Sequence, residues 1–247
     1  MQHNWFLWLF FTAISLGFGV LISGYFSRVS SQYATRLHTG AIPDVWLLMQ
    51  CLLDSLKTES TYIIVGNGSK HRSAISLFCG IAIGVIIVGF WLIYGFSSHF
   101  AVIICFLLSL FILAFIDSKS HILPDAINLP LMWLGIAYSL FSYSNLLENS
   151  VLGVFVGYGI IIIPGVIWQA ITGSSGIGHG DAKLMAAIGA WIGPWVIPYI
   201  LLLACLTNIL FAIFQQRRLF PVGAYPFGPF IVTSTVIIML LQANTIG

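Results

Sequence analysis

Ile75-Ser-Leu-Phe-Cys-Gly-Ile-Ala-Ile-Gly-Val-Ile-Ile-Val-Gly-Phe-Trp-Leu-Ile-Tyr-Gly-Phe96 contains no charged side chain, and its apolar residues do not alternate with polar ones. A hydrocarbon core of roughly 30 Å takes about 20 helical residues to cross, so this run can span a bilayer as a helix. It lacks the period-two pattern of a transmembrane barrel strand. The whole chain agrees. Of 247 residues, 59% are hydrophobic and 6% charged, with a mean hydropathy of +1.02. A water-facing surface needs far more charge. A lipid-exposed backbone must also satisfy its hydrogen bonds internally. The expected fold class is therefore all-α, a polytopic integral membrane helical bundle surrounded by membrane lipids. No nucleic acid partner is expected.

Working outward from that run gives about eight transmembrane spans: Trp5 to Phe26, Ile75 to Phe96, Phe100 to Ile116, Ile127 to Tyr143, Val151 to Ile171, Ala182 to Gly193, Trp195 to Phe214 and Phe227 to Leu241. The sixth is short and glycine-rich, so it is expected inside the bundle or as a partial span. The first lacks the positive start of a secretory signal and is read as a retained span. Residues 28–73 form the one sizeable extramembrane segment, a cytoplasmic loop. Its apolar patch, Val45 to Leu53, has about half the length a span needs and is expected on the membrane surface or against the bundle. The chain is read as a single integral membrane domain, 1–247, with its catalytic membrane core at about 99–243.

Lysine and arginine are retained on the cytoplasmic side of short loops. With the amino terminus outside, Arg28, Arg36, Lys57, Lys70, Arg72, Lys119, Lys183, Arg217 and Arg218 all fall at cytoplasmic ends. These are all nine basic residues, and the carboxy terminus is then also outside.

Two acids share that cytoplasmic level. Asp117 closes the apolar run Phe111 to Ile116, and Asp181 closes Gly173-Ser-Ser-Gly-Ile-Gly-His-Gly-Asp181. A carboxylate near hydrocarbon is expensive, and two close together cannot both ionise cheaply, so they tend to share a proton. Such a pair can act as an aspartic protease does: one carboxylate takes a proton from the attacking water while its protonated partner donates to the developing oxyanion. The glycines at 173, 176, 178 and 180 would let backbone approach an extended substrate. On the plainer reading Asp181 caps a helix that begins at Ala182.

Supporting residues carry weaker signals. Asp125 follows a proline and is read as positioning its loop or capping the fourth span. Lys119 and Lys183 either tune the neighbouring acids and hold substrate carboxylates, or simply mark topology. His179 either adjusts the proton affinity of its neighbour or faces solvent. Cys79, Cys105 and Cys205 read as small core residues. The tryptophans, including Trp5, Trp91, Trp133, Trp191 and Trp195, are expected to anchor the membrane interface. A proton- or cation-coupled transporter is the alternative, since glycine-broken spans with acids also suit it. Transporter acids would be expected nearer mid-span, with an inverted repeat.

Gly178-His-Gly-Asp181, continuing Ala-Lys-Leu-Met-Ala-Ala-Ile-Gly-Ala-Trp-Ile-Gly193, resembles the signature of type IV prepilin peptidases. Phe115-Ile116-Asp117, followed by His121-Ile-Leu-Pro-Asp125 and Leu129-Pro130, is similar to that family's other active-site segment, and Pro226-Phe-Gly-Pro-Phe230 to its carboxy-terminal segment. The resemblance implies Asp117 and Asp181 as catalytic residues, with Gly178 and Gly180 in support. It implies an aspartic endopeptidase of the bacterial inner membrane that removes the basic leader of prepilins or pseudopilins at the cytoplasmic face, working beside pilus or secretion assembly machinery. Many members also methylate the new amino terminus with S-adenosylmethionine. Members often carry two Cys-x-x-Cys pairs in the first cytoplasmic loop. Here that loop has only Cys51, which cannot close a four-thiolate site, so zinc is not expected and methylation is in doubt. Proteolysis by two carboxylates needs no cofactor.

Reporter fusions or cysteine labelling should place Ser144 to Ser150 outside and Gln215 to Val222 inside. The inverse map would put both acids on the wrong face for a leader still in the cytoplasm.

Overall fold

The computed structural model describes residues 5–40, 43, 45–57, 70–95, 97–141, 147–173, 178–217 and 225–246. Gly176, Arg218, residues 58–69 of the polar segment, and parts of the 144–150 and 215–222 loops lie outside the described residues.

Every regular element among the described residues is a helix: α1 (Trp5–His38), α2 (Val45–Lys57), α3 (Lys70–Tyr94), α4 (Ser98–Ser120), α5 (Asp125–Phe141), α6 (Leu147–Thr172), α7 (His179–Ile192), α8 (Ile197–Gln216) and α9 (Gly228–Ile246). Stretches of α1, α4, α6 and α8 are long and apolar enough to cross a membrane, and α2, α3, α5 and α9 contain shorter apolar helices. The chain is a multi-pass membrane protein. It divides into two compact units, one of residues 1–108 with 240–247 and one of residues 109–239.

In the first unit α1 runs past Phe26 to His38, so the polar segment begins as helix. Its hydroxyls return to the helix's own carbonyls, Ser31 Oγ to Ser27 O at 2.8 Å and Thr35 Oγ1 to Ser31 O at 2.8 Å, which lets a polar sequence keep the helical path. The apolar patch at 45–53 becomes α2 and packs on this extension. Leu47, Leu48 and Cys51 are buried, Tyr25 donates to Leu52 O at 2.9 Å, and Arg36 reaches both Gln50 and Asp54. On its other side α1 meets α3 backbone to backbone: a Cβ on Gly19 would lie 2.3 Å from the Gly80 carbonyl oxygen.

The second unit is built round α7. This short helix buries Ala182, Leu184 through Ile188 and Ala190, a degree of enclosure its apolar and small residues allow. It has the interior position expected of the sixth span. α6 crosses it so closely that a Cβ on Gly153 would stand 2.0 Å from Gly189 O, and one on Gly157 would stand 2.4 Å from Met185 O. Ser150 Oγ adds a bond to Ala190 O at 2.6 Å. On the opposite face Trp191 turns inward, away from an interface-anchoring role. Its indole packs over Gly135, donates Nε1–H to Leu131 O at 2.8 Å and stacks on Tyr138. Pro130 inside α5 leaves that helix's backbone short of a bond, and its neighbour Leu131 offers the carbonyl that Trp191 uses.

Gly153→Leu should break this unit, because the clash is with backbone that no rotamer change relieves and overpacking costs about 3 kcal/mol or more. Gly159→Leu, whose Cβ meets only the tip of Ile163, should be tolerated. Thermal unfolding in detergent measures both; equal midpoints would show that α6 and α7 do not approach this closely.

Candidate active site

Asp117 lies in the last turn of α4 and is only 4% exposed. A carboxylate so enclosed needs donors. One comes from far along the chain: Gly228 N–H donates to Asp117 Oδ2 at 2.9 Å. Gly228 opens α9, so its N–H is one of the first-turn donors that no helical carbonyl can take. The glycine is required by space, since a Cβ there would sit 2.7 Å from the same carboxylate oxygen.

Asp181 is the third residue of α7. The helix starts at His179 with Gly178 as its N-cap, and no side chain caps it. The expectation that Asp181 caps a helix beginning at Ala182 is therefore corrected: its carboxylate is free of that duty. It turns back over Gly178, where a Cβ would lie 3.0 Å from Oδ2. Gly178 has ordinary extended dihedrals, so the glycine serves this close approach and not a special backbone conformation. Gly180 does the same for the next contact: a Cβ there would stand 3.1 Å from Leu123 Cβ, in the link between α4 and α5.

The two acid-bearing segments thus touch, and an ion pair holds them. Lys183 Nζ lies 2.6 Å from Asp125 Oδ2, tying the first turn of α5 to α7. Both side chains are partly exposed, so the pair aligns two helices more than it stabilises them. Lys119 is exposed in the last turn of α4, and His179 is exposed at the start of α7.

Asp117 and Asp181 line one cavity of about 580 Å³ within the second unit, together with Gly178. Asp125, Lys119, Lys183, Gly180 and His179 are not among its lining residues. Sequence reasoning gave no role to three that are: His121, Tyr225 and Phe227. His121 closes α4 with φ +52, its N–H bonded to Asp117 O at 2.9 Å. Tyr225 accepts from Gln216 Nε2 at 2.7 Å, linking the end of α8 to the segment before α9. Gly228 was equally without a role. A glycine set before proline at a helix start was the available signal.

Cys51 is buried in α2, whereas Cys105 and Cys205 are exposed, so these last two are not the core residues their apolar surroundings suggested. Among the described residues no three His, Cys, Asp or Glu side chains stand together as metal ligands would. Two carboxylates at one cavity can share a proton, accept a second from water and return one to a leaving group.

The sequence model of the type IV leader peptidase family matches residues 103–213. A prepilin leader peptidase/N-methyltransferase of Dichelobacter nodosus is 38% identical over 150 residues, 60% of this chain and 50% of the relative. One of Pseudomonas putida is 37% identical over 149 residues, 60% and 52%. One of Stutzerimonas stutzeri is 31% identical over 176 residues, 70% and 59%. The chain spans about half the length of the curated relatives it matches. No solved structure matches. Residues 103–213 form a type IV leader peptidase family domain, and this stretch contains Asp117, Asp125, Gly178, Gly180 and Asp181.

Gly228→Ala should lower activity roughly 10- to 100-fold, the worth of one hydrogen bond to a charged group, while the protein still folds. Lys183→Asp should also impair the enzyme, and the double exchange Asp125→Lys, Lys183→Asp should restore much of the loss. Turnover of a reporter substrate, normalised to folded protein, checks both; no rescue would mean the ion pair does not align the helices.

Proposed function

We propose that this protein is a membrane aspartic endopeptidase that removes the basic leader of type IV prepilins or pseudopilins at the cytoplasmic face of a bacterial inner membrane, with Asp117 and Asp181 as the catalytic pair. The observation that carries the reading is that these two acids, distant in sequence, line a single cavity. The family domain and the printed names of the relatives support it.

The chemistry needs water and two carboxylates. One carboxylate accepts a proton as water oxygen bonds to the scissile carbonyl carbon, and the protonated partner donates to the carbonyl oxygen, giving a neutral tetrahedral diol. The carbon–nitrogen bond then breaks as a proton passes to the departing amine, and the pair regains its single shared proton. Gly178 and Gly228 keep space beside the carboxylates, and Gly180 with the Asp125–Lys183 pair sets their spacing. This route generates its nucleophile without a metal, so zinc is not called for. The relatives' names join leader cleavage to N-methyl transfer. S-adenosylmethionine would be the donor for that second step, which is separable from the first. Assembly machinery of a pilus or secretion system would receive the product.

Asp117→Asn and Asp181→Asn should each abolish leader removal while the protein still inserts, because an amide cannot exchange the shared proton; Asp125→Asn should be milder. The check is co-expression with a substrate bearing a short basic leader, a glycine and an apolar segment, followed by mass measurement of its amino terminus, which reads cleavage and methylation separately. Substantial processing by either asparagine variant would sink the dyad.

A further inference from the structure

The cavity is longer than one peptide bond needs, and away from the acids its wall is apolar: Ile160, Ile161 and Pro164 on α6, Leu201 and Cys205 on α8. Both helices are apolar enough to cross a membrane. Counted back from Gln216 at 1.5 Å per residue, Cys205 lies roughly 16 Å and Leu201 roughly 22 Å along α8. Counted back from Thr172, Pro164 lies roughly 12 Å and Ile160 roughly 18 Å along α6. The Gln216 end belongs at the level of the acids, because Gln216 bonds Tyr225, which lines the cavity with them. The wall therefore descends from the carboxylates to about the middle of the hydrocarbon. It also opens sideways. Pro164 and Cys205 are exposed, and around them Ile163, Ile167, Leu202 and Leu206 present a broad apolar surface of the kind lipid covers.

A polar chain arriving from water gains nothing from such a wall, whereas an apolar chain already in the bilayer can slide onto it and exchange lipid for close packing. We propose that the α6–α8 wall is the subsite for an apolar, membrane-inserted segment of the substrate, entering from the bilayer at Pro164 and Cys205, with the scissile bond carried to the acids at the segment's cytoplasmic end. The proposal rests on the peptidase reading and adds to it where the apolar side of the substrate binds. Cys205 sets how much room that side chain row has.

The probe is a synthetic peptide with a Lys-Lys-Gly head and about 18 leucine and alanine residues, carrying one cysteine moved stepwise along the apolar part, co-reconstituted with the full chain in phosphatidylcholine vesicles. Oxidation should link it to Cys205 from one face of the segment, with the yield gone in Cys205→Ala. Cys205→Trp should raise KM for the cysteine-free peptide at least about tenfold with kcat within twofold, and Cys205→Ala should leave both unchanged, as expected if volume is what matters. Absence of any Cys205-dependent link overturns the proposal. Links without cleavage by the native enzyme would uphold the wall and overturn the peptidase reading; cleavage with neither links nor an effect of tryptophan would overturn the wall alone.

Discussion

The bond from Gly228 N–H to Asp117 Oδ2 is the constraint on which the site depends. A carboxylate enclosed at the end of an apolar helix loses its water, and an unmet loss of that kind amounts to several kcal/mol. The donor has to be small, fixed and free of other partners. A glycine N–H in the first turn of α9 meets all three conditions, because helix geometry leaves it without a carbonyl and the missing Cβ lets the carboxylate come to 2.9 Å. The same requirement recurs at Gly178 under Asp181 and at Gly180 against Leu123. None of these three glycines is used for left-handed backbone. Each clears the volume of one methyl beside or between the acids.

Such tolerances are useful only on a rigid support. α7 supplies it by being short, small-surfaced and nearly enclosed, with α6 crossing at Gly153 and Gly189 and α5 pinned through Trp191. In lipid, where apolar burial gives helices little reason to associate, close backbone approach and a few hydrogen bonds must hold them. Ser150 to Ala190 and Trp191 to Leu131 are bonds of that kind, and both end on carbonyls of helices that carry or adjoin the acids.

Much of this was legible in the sequence. Uncharged runs gave the helical membrane class, and the glycine-rich run with its short apolar follower marked an interior helix ending in an acid. What stayed hidden depends on which residues meet across long separations. Nothing local says that Asp181 is released from capping, since a carboxylate before an alanine-rich helix is as good a cap as any. The helix instead starts two residues earlier, at His179, under a glycine. Lys183 and Asp125 each looked like a local signal, of topology or of loop shape, and their pairing appears only when α5 and α7 are set side by side. Cys105 and Cys205 misled for another reason: in a membrane protein the outward face is as apolar as the core, so composition cannot tell them apart.

Two helix N-termini converge on the cavity, α9 at Asp117 and α7 at Asp181. Each carries partial positive charge from unpaired N–H groups, worth up to about 2 kcal/mol toward an anion where water is scarce. Neither dipole needs to move or to be protonated, and both are held by helices whose packing is fixed elsewhere. An acid pair sharing one proton carries one negative charge throughout its cycle, whichever oxygen holds it. Two dipoles aimed from different helices suit that condition better than a single cation would, because a lysine beside one acid would fix the charge there and hinder its passage to the other. The free lysines of this region fit that logic: Lys183 is engaged by Asp125, and Lys119 stands at the exposed end of α4, so neither is among the residues lining the cavity.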